Sequence, residues 1–406
     1  MITEQLTALQ PTAAELMPTL APAETAPPPP RSELSFKQFE EAGKQLPDSV
    51  VLDVMNDQLQ SVPGEQPRFL KSYLDQVRTD ESDNAYIDSP DQVIGFRNEL
   101  TDFVSSHLTV KTSNKLLSPQ QKDVITGKVE DFKDKLEADK VEVAEYITGT
   151  YEGKQQPIPR GALGYNGLTV TTKNGTVDLL KDKVPGVRAN ITMQREASGS
   201  FVHYASEPYL DKRSSGVKPE LGKRIYLNPK IESSIGIFTD IVEAAEAAGI
   251  TMKGKVFDRT LEAVARRADN PDKRTARGDG IVLYAGEDAD ALLGLVEAIY
   301  KDSPGAFEGR KTSRIPLRIA EGIAVGDEPI KTSSDEEAES LTSSRAGAIQ
   351  VASGEAKRML GLQASEEIRP GQEAQAVAAF RTAFKQVATQ AGIDPDNLAF
   401  NLPKAA

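Results

Sequence analysis

Arg224-Ile225-Tyr226-Leu227, then Lys255-Val256-Phe257, then Gly280-Ile281-Val282-Leu283-Tyr284-Ala285 are short runs rich in β-branched and aromatic residues, set off by glycine or proline. Such runs suit a pleated, half-buried surface and read as strands. Between them, 235–248 has an apolar face and stops at Gly249, and 289–300 repeats the helical pattern. Upstream, 168–172, 191–194 and 200–204 are further strand-like runs. Downstream, 373–391 reads as a helix closed by Gly392 and followed by Asp394-Pro395-Asp396-Asn397. This order of β and α predicts an α+β fold over residues 149–406, a mixed or antiparallel sheet with flanking helices.

The grammar differs on the N-terminal side. Residues 1–31 are rich in Ala, Thr, Pro and Glu and end at Pro27-Pro28-Pro29-Pro30 before Arg31, a composition that buries too little apolar surface to offset its ordering entropy. A disordered, Pro-rich tail is expected there. From residue 32 to 148 the pattern is helical: Phe36, Phe39, Leu46, Val51, Val54, Met55 and Leu59 begin an apolar stripe, and 69–77, 93–108 and 119–146 continue it. Ser118 before Pro119 predicts an N-cap with proline in the first turn. The chain thus divides into a tail (1–31), a small helical domain (32–148) and an α+β domain (149–406).

Composition removes several chemistries. Among 406 residues there is no cysteine, which excludes a thiol nucleophile, a disulfide scaffold and thiolate-bound zinc; His107 and His203 are the only histidines. No metal or cofactor is expected. A net charge of −13 opposes general attraction to nucleic acid or anionic lipid, and no run approaches the length of apolar sequence that spans a bilayer. No nucleic-acid or membrane partner is expected.

No phosphate-cradling loop, His-Glu-x-x-His or Gly-x-Ser-x-Gly elbow is present. What stands out in an acidic chain is the gathering of cations in its second half, among them Lys223, Arg224, Lys253, Lys255, Arg259, Arg274, Arg310 and Arg345. Arginines around one lysine suit a phosphorylated ligand, since guanidinium matches phosphate bidentately. Scattered surface ion pairs are the plain alternative.

Four landmarks in the same order, Gly222-Lys223-Arg224-Ile225-Tyr226-Leu227, Gly254-Lys255-Val256-Phe257, Asp279-Gly280-Ile281-Val282-Leu283-Tyr284 and Ala391-Gly392-Ile393-Asp394-Pro395-Asp396-Asn397, resemble the HopA-type type III effector family. The resemblance runs from about residue 200 to the C-terminus. That family is similar in turn to the bacterial phosphothreonine lyases, whose landmarks are Gly-Asp-Lys-Phe-His, a Lys-Ile/Val-Thr-Asp strand, and an Arg four residues before Gly and ten before Tyr. The resemblance implies that Lys255 is the general base, that Arg274, four residues before Gly278 and ten before Tyr284, binds phosphate, and that Arg224 stands at the first lysine of Gly-Asp-Lys-Phe-His. Arg345 is a looser phosphate-clamping counterpart, because the second arginine expected seven residues on is Ala352. Tyr226 occupies the place of the lyase histidine, and His203, in Phe201-Val202-His203-Tyr204, is the candidate to supply an imidazole from a neighbouring strand.

The chemistry so implied is β-elimination of phosphate from phosphothreonine or phosphoserine, with no cofactor and no metal. The partner is a phosphorylated peptide or protein. Two settings fit: an effector acting on host signalling proteins, or a dehydrating component of ribosomal-peptide (lanthipeptide) modification. The alternative is a non-catalytic interaction module that keeps the fold. The protein is expected in the cytoplasm, or in a host cell by a signal-peptide-independent route, with the tail as export signal and the helical half as surface for a secretion chaperone or another protein.

Overall fold

The structure is a computed structural model describing residues 34–56, 70, 74, 76–78, 89–112, 118–151, 187–196, 199–259, 275–330 and 340–403. The Pro-rich tail, most of 69–77, the run 168–172 and Arg274 lie outside the described residues. The helices are α1 (Phe36–Glu40), α2 (Asp48–Met55), α3 (Pro90–His107), α4 (Pro119–Tyr151), α5 (Glu207–Ser214), α6 (Ile231–Ala247), α7 (Ala289–Asp302), α8 (Leu341–Met359) and α9 (Glu373–Gln390). The strands are β1 (Gln76–Arg78), β2 (Val110–Thr112), β3 (Val187–Ala189), β4 (Ile191–Glu196), β5 (Gly199–Ala205), β6 (Lys223–Leu227), β7 (Met252–Asp258), β8 (Thr275–Arg277), β9 (Ile281–Ala285), β10 (Leu317–Ala320) and β11 (Ile323–Asp327).

Local chemistry accounts for the helix boundaries. Ser118 caps α4 as expected: its Oγ accepts from Gln121 N at 3.2 Å, while Gln121 Oε1 accepts from Ser118 N at 2.9 Å. Ser89 and Gln92 make the same reciprocal pair at the start of α3, with Pro90 in the first turn. The stripe that begins at Phe36 is carried by two short helices, because Gly43 takes a left-handed φ of +62° and Pro47 sits immediately before α2.

Seven strands form one sheet in the order β10-β11-β6-β9-β7-β5-β4, and every neighbouring pair is antiparallel. The sheet is therefore purely antiparallel within an α+β fold. β1 pairs with β8, and β2 with β3, as separate two-stranded sheets. Because β9 lies between β6 and β7, the α6 connection passes over the sheet rather than forming a hairpin.

Strand period decides which layer each residue joins. Ile225, Leu227, Tyr204, Val256, Leu283 and Val325 point to one face and form a single apolar cluster with side chains of α3, α4, α6 and α7. Packing there is close: a Cβ on Gly254 would lie 2.8 Å from the Phe238 ring. Tyr226, Val282 and Ala324 point the other way, into a cluster with α2, α8 and α9. The apolar side chains of residues 32–148 join these same two clusters, so among the described residues the helical region and the sheet share their cores.

Candidate functional site

Register lines up a row of side chains across the sheet. His203 in β5 pairs with Lys255 in β7, Lys255 with Val282 in β9, and Val282 with Tyr226 in β6. The parallel row two residues along reads Ala205, Lys253, Tyr284 and Arg224. Paired residues share a face, so His203, Lys253, Lys255, Tyr284, Arg224 and Tyr226 all project from the side opposite the large apolar cluster. Four of the six site residues singled out from sequence, which are 203–255 in the chain, thus meet on one surface. Lys255 and Tyr226 are two strands apart, about 10 Å by strand spacing.

The contacts on this face are made by charge and aromatic rings. Arg224 Nη1 donates to Tyr226 Oη at 3.2 Å, its Nε pairs with Glu328, and its guanidinium lies 5.1 Å from the centre of the Tyr284 ring. Lys255 Nζ stands 4.0 Å above the centre of the Phe201 ring, and Lys253 Nζ 5.8 Å above that of Tyr209. His203 packs edge-on to Phe201 at 6.2 Å, and its buried Nε2 has no hydrogen-bond partner among the described residues.

Burial and these neighbours set the protonation states. His203 is pushed down to about 3, first by burial and then by the positive charges of Lys255 and Lys253, so its imidazole is neutral near pH 7. Burial raises the Tyr226 phenol far above its usual value, more than Arg224 lowers it, and it too stays neutral. Burial works against the Arg224 charge, but Tyr226, Tyr284 and Glu328 more than offset it, and the guanidinium is held cationic.

The remaining two sequence candidates are not seen on this face among the described residues. Arg274 falls outside the described residues. Arg345 is on α8, off the sheet, where its guanidinium donates to the carbonyls of Leu398 at 2.9 Å and Phe400 at 3.1 Å and to Asn401 Oδ1 at 2.8 Å. Asn401 Nδ2 in turn donates to the Glu328 carbonyl at 2.8 Å, so a chain of contacts links Arg345 to the end of β11. Sequence reasoning missed Glu328 altogether. It follows β11 directly, and nothing near it in the chain marks its partnership with a residue more than a hundred positions earlier.

A second cationic group sits at the ends of these same strands, where a Cβ on Gly280 would lie 2.8 Å from the Arg259 guanidinium and 3.7 Å from Asn228 Oδ1. Arg259 and Arg310, both buried, donate to the same Asn228 Oδ1 at 3.1 Å and 2.9 Å. Among the described residues no group of three or more His, Asp or Glu is placed to hold a metal, and no helix is long and apolar enough to cross a membrane.

No curated protein sequence matches the chain. Among solved structures, "the effector protein from Pseudomonas syringae pv. tomato strain DC3000" is similar at 13% identity and a TM-score of 0.41, covering 87% of this chain and 100% of that one. The effector protein from Pseudomonas syringae pv. syringae strain 61 is similar at 12% identity and a TM-score of 0.41, covering 88% and 100%. His203, Arg224, Tyr226 and Lys255 precede the segment that a protein family recognises, whereas Tyr284 and Arg345 fall within it. Residues 264–400, from the approach to β8 through α9 and into the C-terminal segment, match the HopA1 effector protein family.

Proposed function

We propose that the cationic sheet face binds a phosphorylated Ser or Thr of a peptide or protein and eliminates its phosphate. The observation that supports this reading is the convergence of Arg224, Lys253 and Lys255 with the neutral His203 and Tyr226 on one surface of an otherwise acidic chain. A doubly charged phosphate ester is the ligand that Arg224 and Lys253 favour most, with the Lys255 amine beside them to act as base. In the elimination, the Lys255 amine takes the Cα proton, and the electron pair of that bond forms the Cα=Cβ double bond. The Cβ–O bond breaks, and its electrons leave on phosphate. An ester that carries one proton, with a pKa of about 6, departs as hydrogen phosphate unaided. The fully ionised ester takes a proton from the Tyr226 phenol. Arg224 and Arg274 hold the departing charge, while Arg345 supports the site from α8.

The biological setting we favour is that of an effector delivered into a host cell, in keeping with the family matched by residues 264–400. The N-terminal tail then serves export, and the helical region offers its outer surface to a secretion chaperone. A second reading, a binding module without turnover, is favoured by one observation: His203 is neutral near pH 7, so no imidazolium is at hand as acid.

Incubating the full chain with phosphothreonine and phosphoserine peptides and weighing the products separates the cases. Loss of phosphoric acid, leaving dehydrobutyrine or dehydroalanine, is the expected result. A product with an intact hydroxyl means hydrolysis. Peptide bound but unchanged means the binding module.

A further inference from the structure

Arg224 already has an anion. Its Nε pairs with the Glu328 carboxylate on the same face that carries Lys253, Lys255 and Tyr226, so any phosphate that uses this guanidinium meets a resident competitor. The two partners differ in freedom. The Arg224 side chain is 7% exposed and fixed by Tyr226 and the Tyr284 ring, whereas that of Glu328 is 20% exposed. The backbone of Glu328 is pinned independently of its side chain: its N–H donates to the Gly222 carbonyl at 2.9 Å, and its own carbonyl accepts from Asn401 Nδ2 at 2.8 Å. The carboxylate can therefore rotate away while the arginine and the surrounding chain stay in place.

The neighbouring pair shows that this arrangement is not needed to hold β11 against β6. Lys223 Nζ and Asp327 Oδ1, one residue back on each strand, pair at 2.7 Å beside the Phe36 and Phe400 rings, and that pair ties α1 and the C-terminal segment to the sheet. Glu328 makes its ion pair on the cationic face instead.

From this geometry we propose that Glu328 is a specificity determinant: it occupies the anion position on Arg224 and yields it to a doubly charged phosphate ester, while singly charged carboxylates gain nothing by exchange. The proposal rests on the phosphate-binding reading above. A carboxylate ligand merely replaces one charge-assisted hydrogen bond with another, whereas the second charge of a dianion adds attraction from Lys253, which stands in the same row as Arg224.

The test is to titrate the full chain and its Glu328→Gln variant with a phosphothreonine peptide and with the same peptide carrying Glu at that position. Removing the competitor is expected to tighten phosphothreonine binding on the order of tenfold and to make the Glu peptide a measurable ligand. Circular dichroism establishes that the variant is folded. If it is not, Glu328→Asp, which keeps the charge but withdraws it by one methylene, is expected to tighten binding by a smaller factor and decides the matter in the same way. A folded variant that binds phosphothreonine no more tightly than the unaltered chain overturns the role of Glu328 and leaves the phosphate site standing. Absence of phosphopeptide binding by both proteins overturns the phosphate site, and the role of Glu328 with it.

Discussion

Along β6, Ile225 and Leu227 enter the large cluster built with α3, α4, α6 and α7, while Arg224 and Tyr226 point to the opposite side. The same division runs through β7, where Val256 is buried against α6's layer and Lys253 and Lys255 are not. The two faces of one sheet therefore do different work. The first face is filled by carbon against carbon, and its removal from water stabilises the fold. The second face is mixed: Tyr226, Val282 and Ala324 enter the cluster built with α2, α8 and α9. Beside them stand amines, a guanidinium and an imidazole, groups whose burial costs free energy unless each finds a partner. Among the described residues His203 Nε2 has no partner, and a buried polar atom of that kind is the sort of defect that binding sites retain.

Substitutions on the two faces should separate activity from stability. The largest effect is expected from Lys255→Ala, which should lower elimination by about a hundredfold to ten-thousandfold, the usual contribution of a general base, while phosphopeptide affinity changes by less than about tenfold. Product masses and a binding titration read the two quantities, and equal loss of both would show that Lys255 only binds. On the opposite face, Leu283→Ala should cost about 2–5 kcal/mol in urea unfolding by leaving a cavity, since Leu283 is fully buried. Gly254→Ala should cost less, about 1–3 kcal/mol, because its methyl must displace the Phe238 ring.

The cationic face also predicts a response to pH. The folded-state pKa of His203, about 3, lies below its usual 6.5, so the unfolded chain binds the extra proton between those values. Its contribution is complete above pH 6.5 and is lost as pH falls towards 3, with a slope of at most about 1.4 kcal/mol per unit. His203→Gln should flatten that slope in acid titrations of unfolding, whereas an unchanged slope would place the titration elsewhere. The smallest effect is expected at a helix end behind the apolar face. Ser89→Ala removes the cap of α3 and should lower the unfolding free energy by about 1 kcal/mol without altering phosphopeptide affinity.

Much of the fold can be read locally. The runs at 191–194, 200–204, 224–227, 255–257 and 280–285 all fall on strands of the sheet, and the helices at 93–108, 119–146, 235–248, 289–300 and 373–391 are all present within a few residues at their ends. What escaped was short or unpatterned. α5 has little apolar character, β10 is an edge strand with no fully buried residue, and α8 buries mostly alanine, serine and threonine, with Leu341 and Ile349 its large apolar residues, too few to mark a stripe. The site was legible in part. His203, Arg224, Tyr226 and Lys255 were singled out as candidates through the family resemblance of short motifs, but that they share one face depends on the register of four strands. The engagement of Arg345 with the carbonyls of the C-terminal segment had no local sign, since backbone acceptors look alike in every sequence.

By itself, then, the sequence determined the alternation of strand and helix, the capped helix starts and the lack of thiol chemistry, because each is fixed by neighbours within a few residues. The tertiary structure alone decided that β9 lies between β6 and β7, that Lys255 stands opposite His203, and that Glu328 sits on Arg224. The reason is physical. A strand's period settles which residues share a side, but only pairing between distant strands settles which charges face each other across them.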